Sequence, residues 1–326
     1  MTSTTPQQKI ESGFGYGSTA AEVIAGIDLS GRLAIVTGGY SGVGIETVRA
    51  LVGAGAEVIV PARRPDHARA ELEGIERVTV DELELGDLDS VRGFAERFLD
   101  SDRNLDLLIN NAGVMASPEF RVGPGWEGQF GTNHLGHYVL TNLLWPVLTR
   151  DGGGARVIEL TSAAHRISGI RFDDLQFERD PYDKWQAYGQ SKTANSLFAV
   201  QLDALGQDAG VRAFAVHPGG IATPLQRHLS REEMRAAGWI DEDDNMVGEF
   251  KTPEQGAATT VWAATSPQLD GKGGVYCADC DIADIVESIQ PGGGGVMAHA
   301  VDREAAARLW DVSAELTGVD AFAKAA

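Results

Sequence analysis

The chain has 326 residues, 43% hydrophobic and 23% charged, a composition that supports a full core and excludes a disordered chain. Its net charge of −20 argues against nucleic acid or an anionic membrane as a partner, because either needs a basic surface. A phosphate-bearing cofactor stays compatible, since screening over about 8 Å lets a local cationic pocket work inside an acidic protein.

The two cysteines, Cys277 and Cys280, have Cys-x-x-Cys spacing but neither a second pair for zinc nor a thioredoxin-like context. They read as structural thiols of a reduced, cytoplasmic protein. The polar N-terminus predicts no signal peptide, and the lack of ~18 consecutive apolar residues predicts no membrane span.

Residues 1–30 read as an N-terminal arm, with about the first twelve rich in Thr, Ser and Gln and expected to be mobile. Ser18-Thr19-Ala20-Ala21-Glu22 reads as a capping box opening a short helix that packs on the outside of the domain after it. Residues 31–290 read as one catalytic domain. Within it, Leu33-Ala34-Ile35-Val36 is an apolar run of the kind buried on both faces of a parallel sheet. It leads into Thr37-Gly38-Gly39-Tyr40-Ser41-Gly42-Val43-Gly44 and then a helical pattern at Ile45, Val48, Leu51 and Val52. Such a turn lets the backbone approach a pyrophosphate and points free N–H groups at it, although glycines here also suit a plain tight connection.

The next strand, Glu57-Val58-Ile59-Val60, ends in Pro61-Ala62-Arg63-Arg64. An acid there would bind a ribose 2′-hydroxyl, whereas arginine accommodates a 2′-phosphate, so the pair predicts NADP(H). Arg63 is the favoured residue, and Arg64 is open between the same role and a surface charge. A third strand over Val78–Leu85 precedes Gly86-Asp87-Leu88, where Asp87 suits either the adenine amino group or a helix cap. A fourth, Leu105–Ile109, runs into Asn110-Asn111-Ala112-Gly113, small enough for close backbone contact with a ligand.

A long helix over Trp126–Leu148 carries Asn133, a poor helix former whose place points to a task beyond packing or to a polar core position. The apolar run Val157–Thr161 ends in Ser162, and 26 residues later comes Tyr188, followed four residues on by Lys192. On a helix that spacing puts phenol and ammonium on one face. A free tyrosine titrates near pH ~10 and is a poor base, but a cation within about 4–6 Å favours the phenolate, so Tyr188 becomes a candidate general acid/base. The same spacing also arises by chance on amphipathic helices.

A sixth strand, Arg212–Val216, closes in His217-Pro218-Gly219-Gly220-Ile221-Ala222-Thr223-Pro224. Alternating strands and helices predict an α/β Rossmann-type doubly wound parallel sheet of about seven strands. Residues 225–252 mix charge with Trp239 and Phe250 and read as a substrate lid, against a solvated insertion. A helix near Pro253–Ala264, a last strand at Val275-Tyr276, a Gly-rich link over 291–295 and a terminal helix over Asp302–Leu316 complete the chain, with 291–326 packed on the same domain.

Thr37-Gly38-x-x-x-Gly42-x-Gly44, Asn110-Asn111-Ala112-Gly113, Asn133, Ser162, Tyr188-x-x-x-Lys192 and Pro218-Gly219 occur in this order, each on the element where it belongs. Together they resemble the short-chain dehydrogenase/reductase family over about residues 30–280. Thr161-Ser162-Ala163-Ala164-His165, the segment through Phe172-Asp173-Asp174-Leu175 and Tyr188-Gly189-Gln190-Ser191-Lys192 resemble the branch of retinol dehydrogenases, the WW-domain oxidoreductase and protochlorophyllide reductase.

The resemblance implies that Ser162 polarises a substrate carbonyl and Tyr188 passes its proton. It implies too that Lys192 binds the nicotinamide ribose and lowers the Tyr188 pKa, and that Asn133 holds the water linking Lys192 to solvent. It assigns cofactor contact to Gly38, Ser41, Val43, Gly44, Arg63, Asp87, Leu88, Asn111, Ala112, Gly113, Lys192, Pro218, Ile221 and Thr223. Pairing of the helices bearing Asn133 and Tyr188 across a homodimer or homotetramer is common in the family and stays open here.

The expected activity is hydride transfer between NADP(H) and a carbonyl or alcohol of a small substrate, no metal being implied. The aromatic and apolar residues Met115, Trp126, Phe172, Trp185 and Trp239 suit a hydrophobic or ring-bearing one if they line the pocket. The alternatives are a non-redox epimerase or dehydratase that oxidises transiently, and a catalytically silent NADP sensor.

Overall fold

The computed structural model describes residues 4–248, 250–288 and 294–323. Seven strands run parallel: β1 (Leu33–Val36), β2 (Glu57–Ala62), β3 (Val78–Glu82), β4 (Leu107–Asn110), β5 (Arg156–Leu160), β6 (Arg212–His217) and β7 (Val275–Ala278). A two-residue strand, β8 (Asp281–Ile282), joins β7 antiparallel, and the order across the sheet is β8-β7-β6-β5-β4-β1-β2-β3. The expected doubly wound sheet is present. Its order reverses between β1 and β4, where a crevice opens beyond the carboxyl ends of the strands.

The helices are α1 (Ala20–Ile24), α2 (Gly42–Gly53), α3 (Pro65–Glu71), α4 (Leu88–Asp100), α5 (residues 128–143), α6 (Lys184–Gly206), α7 (Arg231–Ala236), α8 (Pro253–Thr265) and α9 (Arg303–Thr317). On one face of the sheet Phe94, Tyr138, Phe198 and Trp310 pack over Ile35 and Leu108. On the other, Val48, Leu51 and Trp262 pack over Val36, Ile109 and Val216. With both faces covered, β1 and β4 are buried along their whole length, and β1 reads as an unbroken apolar run.

Several expected boundaries move. The third strand ends at Glu82, not Leu85, and the fourth begins at Leu107. The long helix expected over 126–148 is divided. Trp126–Glu127 pairs antiparallel with Arg121–Val122, α5 passes through a π-helical turn at Gly131–Leu135, and a separate turn follows at Trp145–Leu148. Pro146 accounts for that last break, having no N–H to continue the ladder. Wide turns of the π type concentrate at functional sites, and this one carries Asn133.

The arm is not loose over the residues described. Gln7 Nε2 donates to the carbonyls of Tyr276 and Ala283 at 2.8 and 2.6 Å, and the Ile10 and Ser12 amides donate to the Asp281 carboxylate at 2.9 and 3.2 Å. Hydrogen bonding to a distant strand is what overrides the local composition. The Thr19 capping box forms as read, and α1 packs on α2 and α8. In the link expected over 291–295, residues 291–293 lie outside the described residues.

α9 packs on α6. Trp310 stacks on Phe198 at 5.6 Å between centroids, Tyr138 donates to the Val319 carbonyl at 3.0 Å, and His134 Nε2 meets Ser313 Oγ at 2.8 Å. The chain's own C-terminal segment therefore covers part of the surface of α5 and α6. Trp310→Ala should destabilise the chain by about 3–5 kcal/mol through the cavity left among these rings, read as a lower midpoint in urea unfolding. An unchanged midpoint would show that α9 contributes no packing energy.

Candidate active site

The crevice is built first by Thr37, the residue after β1. Its hydroxyl accepts from the Asn111 and Ala112 amides at 2.9 and 3.0 Å, and Asn111 Nδ2 donates back to the Thr37 carbonyl at 2.8 Å. These bonds hold the glycine turn against the loop after β4. Gly38 has φ +64°, and a Cβ there would lie 3.1 Å from the Ala112 backbone. A Cβ on Gly44 would lie 2.4 Å from the Gly38 carbonyl, so both positions exclude side chains and leave a backbone-lined cradle. Ser41 caps α2 with no side-chain bond to the helix, and its hydroxyl is available to a ligand at that N-terminus.

The loop after β6 approaches the same glycine turn. A Cβ on Gly42 would sit 3.4 Å from Thr223, and one on Gly256 would sit 2.8 Å from Ile221 and 3.0 Å from Val43. The loop Pro218 to Thr223 therefore closes on the glycine turn. Thr223 also caps a short helical turn, accepting from Leu225 N at 3.3 Å. Asp87 caps α4, accepting from Asp89 N at 3.0 Å, with Leu88 next in the chain. Of the two readings left open for Asp87, the cap is the one visible. Arg63 follows β2 as expected, two-thirds exposed, with Nε 3.3 Å from the Glu84 carboxylate; Arg64 is exposed at the start of α3. Glu84 is a partner that its position after β3 does not announce.

The predicted catalytic set comes together at this edge. Tyr188 and Lys192 project from α6 to the same side, with Lys192 Nζ 5.7 Å from the Tyr188 ring centre and donating to the Leu160 carbonyl at 2.9 Å. Ser162, just past β5, accepts from Ala164 N at 3.1 Å and interacts with the Tyr188 hydroxyl. Asn133 accepts from Val114 N at 2.8 Å and donates to Val114 O and Ser191 Oγ, both at 2.9 Å. It thus pins the Asn111–Val114 loop to α5 and α6. A Cβ on Gly113 would sit 3.1 Å from Asn133 Oδ1 and 3.6 Å from Lys192 Nζ. Asn133 is therefore beside Lys192, although its side chain serves the loop.

The electrostatics differ from the expectation. Burial pushes Tyr188 up to about 12, with Ser162 pulling the other way, and draws Lys192 down to about 8, with Glu159 opposing. The amine does not acidify this phenol in the protein alone: with both groups desolvated, the loss of hydration outweighs their mutual attraction. At neutral pH the phenol holds its proton. The sequence reading also missed His137, whose Nδ1 donates to the Asn133 carbonyl at 2.9 Å while Nε2 meets Thr37 Oγ1 at 2.9 Å. Burial drives it down to about 4, so a neutral imidazole links α5 to the crevice. Its position four residues after Asn133 is the signal that was available.

Met115, Ala116 and Ala164 pack on Tyr188, with Trp185, Leu225, Leu229 and Trp239 at their rim. Trp185 and Trp239 meet edge to face at 6.2 Å, and Trp239 meets Phe250 likewise at 6.2 Å. Lys184, at the start of α6, pairs with Glu233 of α7. The segment expected as a lid thus packs over the tyrosine, Glu249 lying outside the described residues. Of the five residues singled out for the pocket, Met115, Trp185 and Trp239 are there. Trp126 lies in a separate core cluster with Phe130 and Leu309, and Phe172 packs against that cluster under the Arg308 guanidinium at 3.9 Å. Cys277 and Cys280 are buried free thiols, both raised by burial.

A doubly wound sheet with a glycine cradle at its switch point, and serine, tyrosine and lysine gathered at the same edge, defines an oxidoreductase of the dinucleotide-using class. The "short chain dehydrogenase" family model matches residues 32–234. A Streptomyces lividans "Probable oxidoreductase" is 47% identical over 299 residues, covering 89% of this chain and 98% of its own. Retinol dehydrogenase 12 of Mus musculus is 37% identical over 299 residues, covering 90% and 88%. A crystal structure of an uncharacterised Mycobacterium paratuberculosis protein superposes with TM-score 0.71 at 34% identity, covering 93% of this chain and 98% of that one. The chain belongs to the short-chain dehydrogenase family. No helix among its described residues is long and apolar enough to cross a membrane.

Proposed function

We propose that this protein is an NADP(H)-dependent oxidoreductase that moves a hydride between the nicotinamide and a carbonyl or alcohol of a small, hydrophobic or ring-bearing substrate. One observation carries the reading: the Tyr188 phenol, kept protonated by burial, lies beside the Ser162 hydroxyl with Lys192 Nζ 5.7 Å from its ring centre, among Met115, Trp185 and Trp239. The glycine cradle fits a dinucleotide, since Gly38, Ser41, Val43 and Gly44 offer a backbone floor and a helix N-terminus to a pyrophosphate. Asp87 and Leu88 would border the adenine, Asn111 to Gly113 and Lys192 the nicotinamide ribose, and Pro218, Ile221 and Thr223 the carboxamide. Arg63, with Arg64 beside it, would hold the 2′-phosphate.

When bound, the nicotinamide supplies the hydride in reduction and takes it in oxidation. Ser162 and Tyr188 donate hydrogen bonds to the carbonyl oxygen, where negative charge grows as the carbon is reduced, so their contribution is larger in the transition state than in the ground state. Tyr188 then gives its proton to that oxygen. Lys192, close to the ring, stabilises the phenolate left behind. In the oxidation direction the same groups act in reverse, with Tyr188 taking the hydroxyl proton.

NADPH consumption across apolar aldehydes and ketones, followed as loss of the nicotinamide absorbance, tests the activity; no consumption on any of them would overturn it. Arg63→Ala tests the cofactor. The exposed pair with Glu84 is worth about 0–1 kcal/mol and yields readily to a phosphate. Removing the guanidinium loses a charge-assisted bond of about 1.5–3 kcal/mol. KM for NADPH should rise roughly 10- to 100-fold, with KM for NADH unchanged. An unaltered KM for NADPH would sink the assignment.

A further inference from the structure

Strand β5 carries an acid where a doubly covered strand calls for an apolar side chain. Glu159, between Ile158 and Leu160, is fully buried. Asn110, its cross-strand neighbour on β4, donates through Nδ2 both to Glu159 Oε1 and to Thr141 Oγ1 of α5, the latter at 3.0 Å. Thr161, on the same side of the strand by alternation, donates to the Lys192 carbonyl at 2.7 Å. The Leu160 carbonyl accepts from Lys192 Nζ and Asn195 Nδ2, both at 2.9 Å. The residues that enclose the acid thus also hold the lysine serving Tyr188.

Three buried oxygens here, Glu159 Oε2, Asn110 Oδ1 and Asn195 Oδ1, have no hydrogen-bond partner among the described residues. With Glu159 ionised all three are acceptors, each carrying the desolvation penalty of an unpaired group, around a buried charge. A proton on Oε2 converts one of them to a donor and removes the charge. Burial acts in the same sense, holding the carboxyl well above the usual carboxylate range, while the Lys192 charge acts against it. The influence is mutual, because the Glu159 carboxylate favours the ammonium.

We propose that Glu159 is a buried positioning acid for Lys192: neutral at rest, it releases its proton as the medium turns alkaline, and the carboxylate left behind keeps Lys192 cationic beside Tyr188. The O–H bond at Oε2 breaks, the proton passes to the medium, and no electrons change hands. The first proton lost from the pair thereby comes from the acid, and the lysine charge persists to higher pH. The other titratable groups on the surrounding elements do not compete. His137 on α5 is held neutral by burial, Tyr188 on α6 and Tyr276 on β7 stay protonated, and the Asp203 and Arg156 side chains are paired with Arg212 at 2.8 Å and Asp270 at 2.8 Å.

The lysine's catalytic use rests on the oxidoreductase reading, but the acid's protonation does not, and the two are tested separately. Difference infrared spectroscopy of the full chain should show the C=O stretch of a neutral carboxylic acid at pH ~7 that fades as the pH rises and is missing in Glu159→Gln. Absence of that band overturns the proposal whether or not the chain turns over, and the wild-type titration alone gives that answer if the variant fails to fold. In carbonyl reduction, Glu159→Gln should move the alkaline limb of the kcat profile to lower pH by about one unit, with KM for NADPH unchanged. An equal loss of kcat at every pH, with the limb in place, marks a purely structural role and overturns the proposal.

Discussion

Tyr188→Phe should lower kcat for carbonyl reduction by about 10²–10⁴-fold, the usual cost of removing a positioned acid/base, while the affinity for NADP(H) changes little. The split follows from the geometry. The ring stays packed against Met115, Ala116 and Ala164, so only the hydroxyl's proton and its hydrogen bond are lost. Ser162 still donates to the carbonyl oxygen, but the proton must then come from water, a far weaker acid than a phenol. Stopped-flow measurement of NADPH oxidation at saturating cofactor, with a parallel fluorescence titration of cofactor binding, checks both halves. A variant keeping more than about a tenth of the activity would remove Tyr188 from the reaction.

The charge state of the phenol suits the reductive direction of the proposed reaction. A phenol held up to about 12 by burial is a proton donor across the physiological range, as reduction of a carbonyl requires. Oxidation needs the phenolate, and in this pocket the protein alone does not provide it.

Gly44→Val should be the most damaging change in the cofactor cradle. Its Cβ would meet the Gly38 carbonyl at 2.4 Å and Asn111 Nδ2 at 2.7 Å, both fixed: the first is backbone and the second is bonded to the Thr37 carbonyl. Relief requires opening the glycine turn, which costs about 1–3 kcal/mol of stability as an overpacked site does. It also turns N–H groups away from the pyrophosphate, and two charge-assisted bonds at about 1.5 kcal/mol each amount to roughly 100-fold in NADPH Kd. Gly53→Ala, at a position with nothing within 4 Å of the new carbon, is the matched control and should leave the NADPH Kd unchanged. Calorimetric Kd values for the two variants decide it; equal affinity would mean that this turn does not hold the phosphates.

Local order accounts for what could be read in advance. Leu33–Val36 and Leu107–Ile109 are apolar because helices cover both faces, and that signature is visible without coordinates. Tyr188 and Lys192 share a helix face because the helical period requires it. Asn133 was conspicuous as a poor helix former, and it lies in a π-helical turn where its amide bonds a loop nineteen positions earlier in the chain.

Other features depend on residues far apart in sequence. Trp126 and Trp239 look alike as letters, yet one is core and the other rims the tyrosine pocket. Gln7 is an ordinary polar residue until it bonds Tyr276, 269 positions away. Glu159 passes for routine alternation in a strand until Asn110 bonds it and the Lys192 charge acts on it.

By itself the sequence determined the strand and helix order, the glycine turn, the family and the residues able to move a proton, because these depend on periodicity, backbone freedom and side-chain chemistry within a few residues. Only the tertiary structure decided that α9 covers the face of α6, that Arg63 rests on Glu84, and that burial raises Tyr188 rather than Lys192 lowering it. Packing and desolvation are sums over neighbours brought together by folding, and the charge state of a buried group follows that sum rather than its nearest neighbour in the chain.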